Sequence, residues 1–97
     1  MTTDRTIHVL IHGRVQGVGF RAWVQHQAEL HGLRGWVRNR QDGTVEAVFS
    51  GAGDQVEIML KACHQGPAGA IVQRIEPVEG GEVKLEASDG FEILRTF

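Results

Sequence analysis

The spacing of the apolar residues changes at Phe20, and this change limits the folds that the 97-residue chain can adopt. Residues 6–13 alternate apolar and polar side chains, which is typical of a β-strand with one buried face. From Phe20 the apolar residues recur at intervals of three and four, as on one face of a helix that Gly32 can end. The chain is therefore predicted to begin with a strand that leads into a helix.

A hairpin is predicted after this helix. Residues 33–39 and 44–50 both have the composition of strands. The pair Asp42-Gly43 between them is typical of a tight turn, because glycine readily adopts the positive φ that such turns require. The two segments are therefore expected to pair as antiparallel neighbours.

A second helix and two further strands complete the pattern. Gly66-Pro67 is expected to end the helix. Residues 70–78 predict a strand in which Pro77 indicates a sheet edge or the strand end, since proline has no N–H for a ladder bond. Residues 91–97 predict a short last strand, after an acidic, turn-rich segment. The helix itself is indicated by an apolar stripe at helical spacing: Val56, Met59, Leu60 and Cys63.

The resulting order is β-α-β-β-α-β with a short extra C-terminal strand. This order is typical of the α+β class and of the ferredoxin-like α/β sandwich, in which two helices pack on one face of an antiparallel sheet. The length suits a single domain over residues 1–97 with one modest core.

Several classes of protein are disfavoured by composition. No stretch approaches the roughly 20 apolar residues that cross a bilayer, and the start of the chain does not resemble a secretory signal. The single cysteine, Cys63, excludes an internal disulfide and a cysteine-rich metal site, and its place in the apolar stripe predicts a core position. We therefore expect a cytoplasmic protein.

The charges are distributed unevenly along the chain. Residues 1–40 contain six arginines and two acidic residues, whereas residues 41–97 contain ten acidic and four basic residues. Such asymmetry predicts an anionic ligand near the first part of the chain. A solvated surface rich in salt bridges is the alternative interpretation.

Three glycines lie in the sequence GRVQGVGFR, residues 13–21, between the first strand and the first helix. Glycines permit positive φ and allow backbone N–H groups to converge on one point, and the first helical turn adds further unpaired N–H groups. Arg21 would supply a planar guanidinium for two phosphate oxygens. The segment therefore predicts a phosphate-binding loop. A glycine-rich turn with an exposed arginine is the alternative.

Other phosphate chemistries fit the sequence less well. Residues 17–22 match the dinucleotide pattern G-x-G-x-x-A, but a hairpin follows the helix where that fold needs a parallel strand. A cysteine phosphatase needs a cysteine six residues before its arginine, where Val15 stands. His8 and His12 lie ~13 Å apart on one strand face, too far to share a zinc ion. We therefore expect no metal, no cofactor and no protein nucleophile.

Asn39 is a polar residue on an otherwise apolar strand face, directly before the hairpin. Asparagine is depleted in strands, and its amide can both donate and accept a hydrogen bond, which suits the holding of a water molecule. An asparagine that caps the following turn is the alternative.

Two segments together resemble the signatures of the acylphosphatases. Residues 13–21 match G-x-V-Q-G-V-x-[FY]-R, and residues 35–51 match G-[FYW]-[AVC]-[KRQAM]-N-x3-G-x-V-x5-G. The resemblance implies hydrolysis of an acyl phosphate to a carboxylate and inorganic phosphate without metal or cofactor, with Asn39 orienting the attacking water. It also implies that one loop and one arginine hold the phosphoryl group: Val15, Gln16, Gly17, Val18, Gly19, Phe20 and Arg21.

A non-catalytic ferredoxin-like or acylphosphatase-like module that binds RNA or another anion is the alternative function. The early arginines would suit it, but the third strand supplies only Phe49, whereas RNA-recognition sheets carry several aromatic residues. We therefore expect a small acyl phosphate as the partner, with inorganic phosphate or sulfate as an inhibitor. We expect neither nucleic acid nor membrane binding, and we expect a monomer.

Overall fold

The computed structural model describes residues 4–79 and 90–97. The predicted acidic, turn-rich segment at 79–90 lies outside the described residues except at its two ends. Within the described ranges, every helix and strand expected from the apolar spacing is present. Their order is β1 (Asp4–Arg14), α1 (Phe20–Leu30), β2 (Arg34–Asn39), β3 (Val45–Ala52), α2 (Gly53–Gln65), β4 (Ile71–Pro77) and β5 (Phe91–Ile93).

The strands form one sheet in the order β4-β1-β3-β2-β5. The first four strands in the chain pair antiparallel, as the ferredoxin-like prediction requires. The short strand β5 pairs with β2 in parallel, so the complete sheet is mixed. Pro77 ends β4 at the sheet edge, where its missing N–H breaks no ladder bond.

The two helices and one face of the sheet enclose a single apolar core. Helix α1 buries Phe20, Val24 and Ala28, in agreement with the spacing predicted from the sequence. Helix α2 buries the corresponding stripe, apart from Leu60, which is half-buried. Within the described ranges, neither helix is long and apolar enough to span a membrane.

A bulge in β1 leads the chain into the loop before α1. The pairing of β1 with β4 shifts register between His12 and Gly13. Gly13 has a φ of 130°, and a Cβ atom there would lie 2.1 Å from the carbonyl oxygen of Ile71. Only glycine permits this close approach. The packing of β1 against β4 therefore requires glycine at position 13, the first residue of the glycine-rich segment.

Candidate active site

The loop between β1 and α1 places backbone N–H groups at the start of the helix. Gly17 and Gly19 have φ values of 74° and 76°, a left-handed conformation that other residues adopt only with strain. Gly19 is the N-cap of α1, with no side-chain cap and no acidic residue in the first turn. In the described part of the chain, no carboxylate in this turn therefore neutralises the first N–H groups of the helix or the positive end of its dipole.

A cavity of about 270 Å³ lies beside this loop. Asn39 lines it from the end of β2, and Ala22 and Ile93, which were not predicted as site residues, line it as well. Val18 is not among the lining residues, and its half-buried side chain packs against the core. The cavity brings together six of the seven residues predicted to hold phosphate: Val15, Gln16, Gly17, Gly19, Phe20 and Arg21.

Arg21 lies in the first turn of α1 and lines this cavity. Its side chain has no hydrogen bond or ion pair with any other residue in the described part of the chain, whereas Arg38 and Arg40 both pair with Glu46. A cation next to the positive end of a helix is mildly unfavourable by itself. An anion bound in the cavity would stabilise both charges.

Asn39 is the last residue of β2 and is held there by its backbone. It pairs with Val45 of β3, and its carbonyl oxygen accepts a hydrogen bond of 2.9 Å from the N–H of Phe97. Its side-chain Oδ1 is buried and has no hydrogen-bond partner among the described residues. A buried acceptor without a partner costs about 1–3 kcal/mol. The end of β2 thus holds the Asn39 amide with hydrogen-bonding capacity that no described residue uses.

The turn after Asn39 is capped by a different residue. The Oδ1 of Asp42 accepts hydrogen bonds from the N–H and the hydroxyl of Thr44, at 3.0 Å and 2.6 Å. These two bonds hold the pKa of the Asp42 carboxyl below its ordinary value. The turn therefore does not depend on the Asn39 side chain as its cap.

Gln16 connects the loop to the β2–β3 turn. Its Nε2 donates hydrogen bonds of 2.8 Å to the carbonyl oxygens of Arg40 and Thr44. The side chain is thus engaged with the protein, and only the backbone of Gln16 remains for a phosphate. These bonds join the two parts of the site, because Arg40 directly follows Asn39 in the chain.

We expect Gln16→Glu to lower both stability and activity. A carboxylate of nearly the same shape cannot donate to the two carbonyl oxygens, which would then lose their partner. The free energy of unfolding should fall by about 1–3 kcal/mol. The value of kcat/KM should fall about tenfold, because the loop would lose its fixed distance from Asn39.

Denaturant titration measures the free energy of unfolding of Gln16→Glu, and steady-state kinetics measure its kcat/KM. Gln41→Glu, at an exposed position of the same turn, is the control. A variant equal to wild type would contradict the role of these bonds.

His8, His12 and Trp36 lie on the opposite face of the sheet from the core. The Nε2 of His8 donates to the buried carboxylate of Glu46 at 2.6 Å, and the ring of Trp36 lies edge-on to His8. Burial opposes ionisation of Glu46, but the hydrogen bonds from Arg38 and His8 outweigh it and lower the pKa of its carboxyl. His12 bonds Glu76 at 2.8 Å. None of these three residues lines the cavity.

Cys63 belongs to the core, as the apolar stripe predicted. Burial raises the pKa of its thiol to about 12, so the thiolate is not populated near neutral pH. In the described part of the chain, no group of three or more His, Cys, Asp or Glu side chains is placed to hold a metal ion.

We expect Cys63→Ala to destabilise the protein without affecting catalysis. The smaller side chain leaves a void in the core, so the free energy of unfolding should fall by roughly 1 kcal/mol or somewhat more. The value of kcat should remain near wild type, because Cys63 does not line the cavity. Thermal unfolding and steady-state kinetics test both parts. Loss of turnover in folded protein would require a thiol mechanism to be reconsidered.

Comparison with known proteins identifies the family. The family model described as Acylphosphatase matches residues 7–93. The chain is 53% identical over 91 residues to an acylphosphatase of Azorhizobium caulinodans. This alignment covers 94% of the chain and 96% of the relative.

Solved structures support the same assignment. An acylphosphatase from Coxiella burnetii is 35% identical, with a TM-score of 0.82 and with 94% of this chain and 93% of that chain covered. An acylphosphatase from Bacillus subtilis is also 35% identical, with a TM-score of 0.83 and coverages of 95% and 99%. These similarities confirm what the two signature segments imply: the chain belongs to the acylphosphatase family.

Proposed function

We propose that the protein hydrolyses acyl phosphates to a carboxylate and inorganic phosphate in the cavity at the start of α1. One observation carries the proposal. Arg21, whose guanidinium has no partner among residues 4–79 and 90–97, lines the same cavity as Asn39, at the first turn of α1. An anion-binding site is thus combined with an amide that has hydrogen-bonding capacity left.

The loop and Arg21 bind the phosphoryl group in this proposal. Backbone N–H groups of residues 15–20 donate to the phosphoryl oxygens, and the helix dipole favours their negative charge. The guanidinium of Arg21 donates two parallel hydrogen bonds, a geometry that suits a phosphate. Inorganic phosphate and sulfate present the same oxygens and are therefore proposed as competitive inhibitors.

Asn39 positions the attacking water. Its amide holds the water opposite the bond between phosphorus and the acyl oxygen, so that attack and departure are in line. The water oxygen bonds to phosphorus, the bond from phosphorus to the acyl oxygen breaks, and the carboxylate leaves with the electron pair. The protons of the water remain with the phosphate product.

The substrate needs little help from acid or base groups. The leaving group is a carboxylate, which is stable as an anion at neutral pH. Alignment of the water and stabilisation of the charge on the phosphoryl oxygens therefore account for most of the catalysis in this proposal. A cytoplasmic location and a monomeric state remain predictions from the sequence.

Substrate selectivity tests the function. Purified protein should hydrolyse benzoyl phosphate and acetyl phosphate, and should leave p-nitrophenyl phosphate nearly untouched, because the phenolate is a poorer leaving group than a carboxylate. EDTA should not change the rate. Comparable turnover of p-nitrophenyl phosphate, or loss of activity with EDTA, would contradict the proposed mechanism. Absence of acyl phosphate turnover together with salt-dependent RNA binding would favour the non-catalytic alternative.

A further inference from the structure

One buried carboxylate joins the two residues that flank Asn39. The Nε of Arg38 donates to Oε1 of Glu46 at 2.7 Å, and Nη1 of Arg40 lies 3.5 Å from the same oxygen. Glu46 is 4% exposed, and a glutamate is almost never buried to this extent unless it is paired. The proposed phosphoryl chemistry gives this carboxylate no direct part.

Glu46 lies on the face of the sheet opposite to the cavity. Both of its neighbours in β3 belong to the apolar core, and side chains alternate between the two faces along a strand. Arg38 and Arg40 reach Glu46 and therefore extend to this opposite face. Asn39 lies between them in the chain and lines the cavity. The carboxylate thus binds the residue before Asn39 and the residue after it from the far side of the sheet.

Phe97 contacts the same three consecutive residues. The centroid of its ring lies 4.1 Å from the guanidinium carbon of Arg38 and 5.4 Å from that of Arg40. A guanidinium over an aromatic face is attracted by the negative charge of that face. The N–H of Phe97 donates to the carbonyl oxygen of Asn39 at 2.9 Å. The two arginines are therefore held between Glu46 and an aromatic ring, next to the backbone bond of Asn39.

Rotation of the strand end about its own axis would change the direction of the Asn39 amide. β2 ends at Asn39, so fewer ladder bonds restrain this residue than a residue in the middle of a strand. Because Arg38 and Arg40 extend to the other face, the same rotation would move both guanidinium groups away from Glu46. Loss of a partner from a buried carboxylate is strongly unfavourable. The carboxylate therefore opposes this rotation.

We propose that Glu46 is a positioning residue, which fixes the direction of the Asn39 amide toward the attacking water by binding Arg38 and Arg40. The inference rests on the proposed function, because the direction of the amide affects the rate only if Asn39 orients the water. A misplacement of about 1 Å at a reacting group can lower a rate by ~100-fold. The loop and Arg21, which bind the phosphoryl group, do not depend on this carboxylate.

Glu46→Gln tests the role of the carboxylate. Glutamine keeps the shape of the side chain but not its charge, so its bonds to the two guanidinium groups are weaker. We expect kcat for benzoyl phosphate to fall about tenfold, while KM and inhibition by inorganic phosphate stay within about twofold of wild type. An effect of charge through space would differ, because loss of a negative charge would strengthen phosphate inhibition and lower KM.

A double-mutant cycle with Asn39→Ala separates positioning from a merely structural role. If Glu46 acts through the Asn39 amide, Glu46→Gln should change kcat less than twofold in the Asn39→Ala background. A merely structural role would lower kcat by the same factor in both backgrounds. Circular dichroism at the assay temperature should show that each variant is folded, since a smaller folded fraction would also lower the apparent kcat.

Glu76→Gln is the matched control. Glu76 lies on the same face of the sheet as Glu46 and bonds His12, but it belongs to β4 at the sheet edge, so its loss should leave kcat near wild type. An unchanged kcat in Glu46→Gln, or equal losses in the two backgrounds, would overturn the positioning role. If Glu46→Gln did not fold, Arg38→Met would take its place in the cycle, with the same outcomes. Inactivity of the wild-type protein toward benzoyl and acetyl phosphate would overturn the proposed function itself.

Discussion

Arg21→Ala is expected to weaken both substrate binding and inhibition by inorganic phosphate. The guanidinium would contact the phosphoryl oxygens before and during the reaction, and its two charge-assisted hydrogen bonds have no replacement in kind. Each such bond contributes about 1.5–3 kcal/mol. We therefore expect KM and the phosphate inhibition constant to rise by roughly 10–100-fold and kcat/KM to fall by roughly 1,000-fold or more.

Two further variants control this prediction. Arg14→Ala removes an exposed arginine just before the loop that does not line the cavity, and it should leave phosphate inhibition near wild type. Arg21→Lys keeps the charge but not the planar fork, so it should recover only part of the loss. Steady-state kinetics with inorganic phosphate as inhibitor provide the measurement. Unchanged phosphate inhibition in Arg21→Ala would remove Arg21 from the binding site.

Asn39→Ala is expected to lower kcat by ~100-fold or more while KM and phosphate inhibition stay near wild type. The amide is assigned to the attacking water, whose alignment matters chiefly in the transition state. Removal of one positioned hydrogen-bonding group has an effect of this size in other enzymes. The phosphoryl group would keep its contacts with the loop and with Arg21.

The control for Asn39→Ala must separate catalysis from folding. The carbonyl of residue 39 would still accept the Phe97 N–H, and the pairing with Val45 would remain, because both use the backbone. A wild-type circular dichroism spectrum is therefore expected. Exposed Gln41→Ala in the same hairpin should keep full activity. If Asn39→Ala lost phosphate inhibition while Arg21→Ala retained it, the two roles would be reversed.

The early arginines have different surroundings in the structure. Arg5 pairs with Glu57, and Arg38 and Arg40 pair with Glu46, as the interpretation of a surface rich in salt bridges predicts. Arg21 has no such partner among the described residues and lines the cavity, as the anion-site interpretation predicts. The salt-bridge interpretation therefore holds for Arg5, Arg38 and Arg40, and the anion site at Arg21 stays a prediction. The count of charges along the chain does not separate them, because it does not show which arginines the fold places next to acidic side chains.

The sequence by itself determined the elements and the family, and it predicted the two parts of the candidate site. Apolar spacing depends on neighbours two to four residues apart, so it indicates helices and strands without tertiary information. The two signature segments predicted the loop and Asn39 by resemblance, and the structure brings most of the loop and Asn39 to one cavity. The family prediction is confirmed.

Only the tertiary structure decided what surrounds these residues. The carbonyl groups that Gln16 bonds lie 24 and 28 residues further along the chain, and no local pattern indicates them. Ile93 was predicted only as part of a short last strand, and its place at the cavity depends on the parallel pairing of β5 with β2. Glu46 lies in a strand of mainly apolar residues, and its burial follows from partners on two neighbouring strands. Apart from the bond between Glu46 and Arg38, which lies eight residues earlier in the same hairpin, these contacts join residues far apart in the chain, and only the packed sheet brings them together.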